Sequence, residues 1–333
     1  MNKILLFGEP LIRLTPINYQ SLSNGESAKI YYGGSEINIA KNLQGFQVNT
    51  KIITGLPDTP VGDSFIDFLN QCSIDTSSIQ RVGERIGLYY MEDGFGCRQS
   101  QVYYDRKHTS INNMNIESMN MDNIFKNITH FHFSGITIAI SSHIRKVLLI
   151  LLQEAKKRNI TISIDLNLRT KMISVDDAKI QFSKYAMYAD YCFGIDPIMS
   201  DENDTAMFDR YHSTSKTIQA RMQKLKDKYK FKAIFHTLRT SDENGHNIYK
   251  CYGLDTNFVE SVELKTQVLQ RVGSGDAFVA GALYKMINNA SLQETVNFAV
   301  ASGTYKCTID GDSMFIDTSQ IEKLLENNKD IIR

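Results

Sequence analysis

Two short segments far apart in the chain set glycines beside a carboxylate or an amide, at a spacing suited to phosphate chemistry. The first is Gly273-Ser274-Gly275-Asp276, a small-residue turn that opens directly into the helical pattern Ala277-Phe278-Val279-Ala280-Gly281. Small residues let a ligand approach the backbone closely. Free N–H groups at a helix start, with the positive end of its dipole, make an anion site. A carboxylate at the same point can accept a proton from a substrate hydroxyl. Donors on the transferring phosphate and a base on its nucleophile are what phosphoryl transfer requires. An Asp here would serve equally as an ordinary helix cap. No Walker-type Gly-x-x-x-x-Gly-Lys loop occurs in the chain. The second segment, Gly33-Gly34-Ser35-Glu36-Ile37-Asn38, again sets glycines before a helix. Asn38 offers a donor and an acceptor to hydroxyl groups. A tight turn with Asn38 facing solvent is the alternative.

The elements that must position these segments alternate along the chain. Short apolar runs at 3–7, 50–54, 130–133, 161–165 and 233–237 predict strands, and helical spacing predicts helices at 37–46, 62–72, 142–158 and 214–229. Such alternation points to an α/β fold with a mostly parallel central sheet. Ligands of these sheets bind in the loops at the carboxyl ends of the strands. Two regions break the rhythm. Residues 11–33 and 86–105 read as strands without helices between them, and Asp93-Gly94 with Gly96 is a hairpin signal. They are expected to pair as a small antiparallel sheet, a lid over one α/β domain spanning residues 1–333. Residues 111–123, rich in Asn and Met, read as a surface connection, and 276–328 as mainly helical.

Bulk properties narrow the function classes. The chain has 333 residues, with 42% apolar and 22% charged, which is ample for a large core. Lys+Arg and Asp+Glu both number 37, so no excess positive charge favours nucleic acid. No apolar run approaches the ~20 residues that span a bilayer. The five cysteines are odd in number and scattered, which argues against a disulfide framework and suits a reducing cytoplasm.

Taken together, the two glycine segments resemble the paired signatures of the ribokinase-like (PfkB) carbohydrate kinases: Gly-Gly-x-x-x-Asn-x-Ala near the start and Asp-Thr-x-Gly-Ala-Gly-Asp near the end. The resemblance implies a three-layer α/β domain with a β lid, and ATP with Mg²⁺ as cofactors. Asp276 would be the catalytic base, with Gly273, Ser274 and Gly275 as the anion hole. Within the family the chain looks most like the 2-keto-3-deoxygluconate kinases, through Asp165-Leu166-Asn167-Leu168-Arg169, Tyr103-Tyr104-Asp105-Arg106 and Leu238-Arg239-Thr240-Ser241. That likeness implies an ATP-dependent kinase phosphorylating the terminal hydroxyl of 2-keto-3-deoxygluconate. Gly34, Asn38, Tyr90, Tyr104, Arg106, Arg169 and Asp312 would contact the sugar acid, and Leu238, Arg239 and Ser241 the nucleotide. Arg is suited to bind a carboxylate in a fork, and Arg106 and Arg169 lie at element ends. Asp312, in Asp310-Gly311-Asp312, is open to a second reading as part of an exposed turn. Family members often dimerise through the lid, which implies a homodimer.

The chain departs from the pattern in places. Gln270 stands where the C-terminal signature begins with Asp, and Ser274 stands at its Ala. No clear Asn-x-x-Glu motif occurs near Gly194, where Asp201 and Glu202 are the nearby carboxylates, and no protein ligand to a metal is assigned. A kinase of a neutral sugar such as fructose or ribose, or a degenerate homologue that binds without turnover, remains the alternative.

Overall fold

The structure, a computed structural model, describes residues 2–326; the first residue and residues 327–333 of the expected 1–333 unit lie outside the described residues. In chain order the strands are β1 (Lys3–Phe7), β2 (Leu11–Pro16), β3 (Ala28–Gly33), β4 (Asn49–Leu56), β5 (Asp75–Arg81), β6 (Gly87–Glu92), β7 (Gln101–Asp105), β8 (His130–Ser134), β9 (Thr161–Asp165), β10 (Tyr191–Phe193), β11 (Ala233–Ser241), β12 (Asn247–Leu254), β13 (Phe258–Glu260) and β14 (Leu264–Thr266). The helices are α1 (Ser35–Gly45), α2 (Pro60–Gln71), α3 (Met121–Phe125), α4 (Gly135–Ile140), α5 (Ser142–Lys157), α6 (Val175–Ala186), α7 (Ser215–Tyr229), α8 (Ser274–Ile287), α9 (Leu292–Lys306) and α10 (Thr318–Leu325).

Ten strands form the main sheet, in the order β13-β12-β11-β10-β9-β8-β1-β4-β5, with β14 beside β12. Pairing is parallel from β11 through to β5 and antiparallel among β11, β12, β13 and β14. This is the mixed α/β architecture the alternation predicts. A strand covered on both faces needs no polar side, which explains the unbroken apolar run of β1. Ile4, Leu5, Leu6 and Phe7 are all fully buried; Leu5 and Phe7 join the core on one face, Ile4 and Leu6 the core on the other. The helices start where caps occur: Thr59, Ser141, Ser174 and Thr214 each accept a backbone N–H of the turn they precede.

The small sheet has the order β3-β2-β6-β7. It is not the wholly antiparallel sheet the sequence suggests. Its central pair, β2 with β6, is parallel, while β2/β3 and β6/β7 are antiparallel. The reason is topological: β2 follows β1 and β6 follows β5, and both leave the same parallel sheet in the same sense. Residues 111–123 also differ from expectation, since Ile111 and Met114 are about 1% exposed and belong to the core. Strands at 75–81, 191–193 and 247–266 carry no sequence expectation, being short, polar or rich in Tyr, Lys and Thr. Among the described residues no helix is long and apolar enough to cross a membrane.

Candidate active site

Gly273 precedes α8 with φ 76° and ψ 0°, the left-handed region, and a Cβ there would overlap the carbonyl oxygen of Asp312. Only glycine fits both demands. Gly34 precedes α1 with φ 116°, and a Cβ there would overlap the Glu9 carbonyl. The two helix starts are joined through side chains of their first turns. Asp276 is 7% exposed and its carboxylate does not cap its own helix. It reaches across the cleft instead. Asn38 Nδ2 donates to Oδ2 at 2.7 Å and Ser35 Oγ to Oδ1 at 2.7 Å. The helix-cap reading of Asp276 and the solvent-facing reading of Asn38 are both excluded by these bonds.

The network extends to the end of β9. Asn167 Nδ2 lies 3.3 Å from both Ser35 Oγ and Asp165 Oδ2, and Asn167 N donates to Asp165 Oδ1 at 3.1 Å. Glu36 is 1% exposed and accepts from Ser134 Oγ at 2.5 Å and Thr137 Oγ1 at 3.0 Å. Three acidic groups thus share one poorly solvated neighbourhood. Burial pushes the Glu36 carboxyl up to about 7, against hydrogen bonds that pull it down. Burial, and then the negative charge of Asp276, push Asp165 up to about 7. Burial also raises Asp276, while Asn38, Ser35 and the positive charge of Arg169 favour its ionised form. Such a carboxylate is held ionised by donors yet is more basic than an exposed one, which suits a general base.

Asp312 is 3% exposed and not part of a surface turn. It pairs with Arg13 at 2.8 Å, both side chains being essentially inaccessible, and accepts the Tyr89 hydroxyl. The neighbouring Asp310 takes the surface role, bound to Lys29 at 2.7 Å and Tyr31 at 2.9 Å. Side chains alternate along a strand. Tyr89 therefore faces the site and Tyr90 the other side of the small sheet. Tyr104 lies opposite Tyr89 in register, with ring centroids 6.3 Å apart, on the site face.

The two expected carboxylate-binding arginines differ in state. Arg169 is exposed on the loop after β9. Arg106 is committed elsewhere: Nε donates to Glu9 at 2.9 Å, Nη2 also meets Glu9, and Nη1 lies 3.0 Å from Met172 Sδ. The free two-arginine clamp is not what the structure holds, because a buried carboxylate already occupies one fork.

Arg239 lies opposite Tyr249 in register, its guanidinium 4.2 Å from the ring centre, on the side of α8 and α9. Leu238 alternates to the other face and packs against the core half that includes α7, while Ser241 is exposed at the end of β11. Beside these strands lies a cleft of about 750 Å³ lined by His246, Lys265, Thr266, Gln267, Val268, Leu269 and Thr308. Its lining residue Leu269 directly precedes the Gln270–Asp276 segment. Ser274 is buried, and its hydroxyl donates to the Arg271 carbonyl at 2.8 Å, so it secures the turn.

The loop carboxylates considered for a metal differ in state. Asp201 accepts from Ser200 Oγ and Asn203 N, and Glu202 is exposed. Asp196 and Asp204 pair with Lys179 and Arg221. Among the described residues no cluster of three His, Cys, Asp or Glu fits a metal ion. Sequence reasoning missed Ser35, Arg13, Tyr89, Glu9 and Lys306. Lys306 is fully buried, donates to the Ile309 carbonyl at 3.0 Å, and is lowered to about 8 by burial. A lone Arg or Lys in an apolar strand or helix carries no pattern; only the partner across the fold reveals it.

Comparison with known proteins gives a consistent picture. The family model described as pfkB family carbohydrate kinase matches residues 1–318. A 2-dehydro-3-deoxygalactonokinase of Haloferax volcanii is 25% identical over 331 residues, covering 97% of this chain and 96% of its own. The crystal structure of 2-dehydro-3-deoxygluconokinase from Thermotoga maritima superposes with a TM-score of 0.91 at 28% identity, covering 98% of this chain and 100% of that one. A pfkB family carbohydrate kinase from Listeria grayi gives 0.88 at 29% identity, with 98% and 100% coverage.

Proposed function

Because the chain belongs to the pfkB family of carbohydrate kinases, we propose that it transfers the γ-phosphoryl group of ATP to the terminal hydroxyl of a 2-keto-3-deoxy sugar acid, with 2-keto-3-deoxygluconate as the leading substrate. The observation that carries this reading is the bonding of Asp276 by Ser35 and Asn38 beside the Gly273–Gly275 turn. It sets a base and an anion site within one cleft.

In this reading the sugar lies between α1, the loop after β9 and the small sheet, contacted by Gly34, Asn38, Tyr104, Arg169 and Asp312. Asp276 accepts the hydroxyl proton as the oxygen attacks, and the backbone N–H groups of 273–276 stabilise charge on the transferring group. The 750 Å³ cleft takes the nucleotide, between His246, just before β12, and the 265–269 segment that leads to the Gly273–Gly275 turn. Among the described residues no cluster of three His, Cys, Asp or Glu could hold a metal ion, so Mg²⁺ would be held largely through the nucleotide and water, and would supply charge neutralisation there. The substrate carboxylate meets Arg169, and Arg106 acts with its charge partly balanced by Glu9. The small sheet excludes water that would otherwise take the phosphoryl group.

The test is ADP release with ATP and Mg²⁺ across 2-keto-3-deoxygluconate, its galactonate epimer, gluconate, fructose and ribose. Turnover confined to the keto-deoxy acids, with KM raised about tenfold or more in Arg169→Ala, supports the reading. Turnover only on fructose or ribose, with KM indifferent to Arg169→Ala, replaces it with a neutral-sugar kinase. That outcome has a structural motive in the Glu9–Arg106 pair.

A further inference from the structure

The turn that opens α8 is attached to the small sheet by contacts that the proton transfer does not use. Gln270 is 5% exposed, and both ends of its amide are engaged. Nε2 donates to Asp93 Oδ1 at 3.0 Å, across 177 residues of chain, and Oε1 accepts from Val272 N at 3.3 Å. Asp93 directly follows β6, at the start of its connection to β7. That connection is braced: Arg98 Nη2 donates to the Asp93 carbonyl at 3.1 Å, and Gly94 N to Ser100 Oγ at 3.0 Å. Beside the polar contact, Val272 packs against Leu11, Tyr89 and Met91 on the underside of the small sheet. The main-chain side of Gln270 is fixed to α9, its N–H donating to the Cys307 carbonyl at 3.1 Å.

The pairing is chemically matched. An amide N–H on a carboxylate is a charge-assisted bond, stronger than a neutral one. An Asp at position 270 would set two carboxylates against each other, so the departure from the family signature suits this partner. We infer that Gln270 is a positioning residue: through Asp93 and Val272 it makes the geometry of the Gly273–Asp276 turn depend on the small sheet being seated. When the sheet lifts, the buried Gln270 amide loses its acceptor and the brace on Val272 N slackens. When the sheet seats, the turn is rebuilt. The phosphate-side donors are then ordered only while the site is covered, which keeps water from competing with the sugar. This inference rests on the kinase reading for its consequence, but not for its structural content.

Two measurements on the full chain separate these. Hydrogen exchange of amides 270–276 is recorded without sugar in the parent protein, Asp93→Ala and Asp93→Asn. The expected result is faster exchange at 270–276 in Asp93→Ala and near-parent exchange in Asp93→Asn, which keeps an acceptor. Unchanged exchange at 270–276 in Asp93→Ala overturns the inference, whatever the substrate. In steady state on the best sugar, Asp93→Ala should lose about tenfold in kcat with little change in sugar KM. It should also release more ADP per sugar phosphorylated. The double variant Asp93→Ala with Gln270→Ala should lose clearly less than the two single losses combined, since both remove the Asp93–Gln270 bond. Additive losses, or a loss confined to KM, overturn it. Altered exchange in a protein that turns over no sugar acid leaves the coupling standing and removes the sugar-acid reading.

Discussion

Replacing Glu36 with Gln should change how stability depends on pH, by an amount the structure sets. The Glu36 carboxyl is 1% exposed, is bound by two hydroxyls, and has no cation partner among the described ion pairs. Its ionisation moves from 4.5 when free to about 7 when folded, chiefly through burial. The folded state therefore holds the proton over a range where the unfolded chain has released it. Stability from this group is fully present below the unfolded value and is lost as pH rises through about 7. At 1.36 kcal/mol per unit, the parent should lose roughly 2.5 kcal/mol between pH 5 and pH 8 through this one site. The Gln variant carries no such term. Asp165 feels the Glu36 charge, so its own share shrinks in the variant, in the same direction. Urea titrations of both proteins at pH 5, 6, 7 and 8, with matched slopes, should show the variant gaining on the parent by about that amount as pH rises. Curves that stay parallel within ~0.5 kcal/mol would refute the argument that this carboxyl is buried without a cation partner.

Asp276→Asn should lower kcat by about 10²–10⁴-fold with the circular dichroism spectrum kept. In the parent, kcat/KM should rise with pH through an ionisation above the ordinary Asp range, because burial raises Asp276 and only the ionised form is a base; an acid limb at the ordinary Asp value would contradict the site's electrostatics. Gly273→Ala should cost more than the about 1–2 kcal/mol of a left-handed residue, because its Cβ also overlaps the Asp312 carbonyl, and should abolish phosphoryl transfer; urea titration and ADP release check the two effects. Arg13→Met should destabilise by about 3–5 kcal/mol by leaving Asp312 buried and unpaired, and chemical denaturation of the single and of Arg13→Met with Asp312→Leu should show the double variant recovering much of the loss.

Particular residues show why legibility was uneven. β1 and β9 match their expected bounds residue for residue: β1 because a buried parallel strand reads as an apolar run, and β9 because β-branched Thr161, Ile162 and Ile164 favour a strand. β12 escaped, although most of it is buried, because Tyr, Lys and Cys alternate in it without an apolar signature. Glycine before a helix marked both site turns, since the left-handed region admits few other residues. Tyr90 in place of Tyr89 is a one-residue slip, and a slip of one moves a strand side chain to the opposite face. Leu238 and Arg239 part for the same reason.

What the sequence determined by itself was local: where strands and helices start, which turns require glycine, and that a carboxylate stands beside an anion-binding helix end. These follow from the backbone conformations and periodicities that neighbouring residues impose on one another. What only the tertiary structure decided was partnership. Ser35 and Asn38 meet Asp276 across more than two hundred residues, Glu9 neutralises Arg106, and Gln270 finds Asp93. Charge and hydrogen-bond energies depend on distance in space and on the exclusion of water. Neither is a property of position along the chain, so a residue's type announces what it can bond, and the fold alone decides what it does bond.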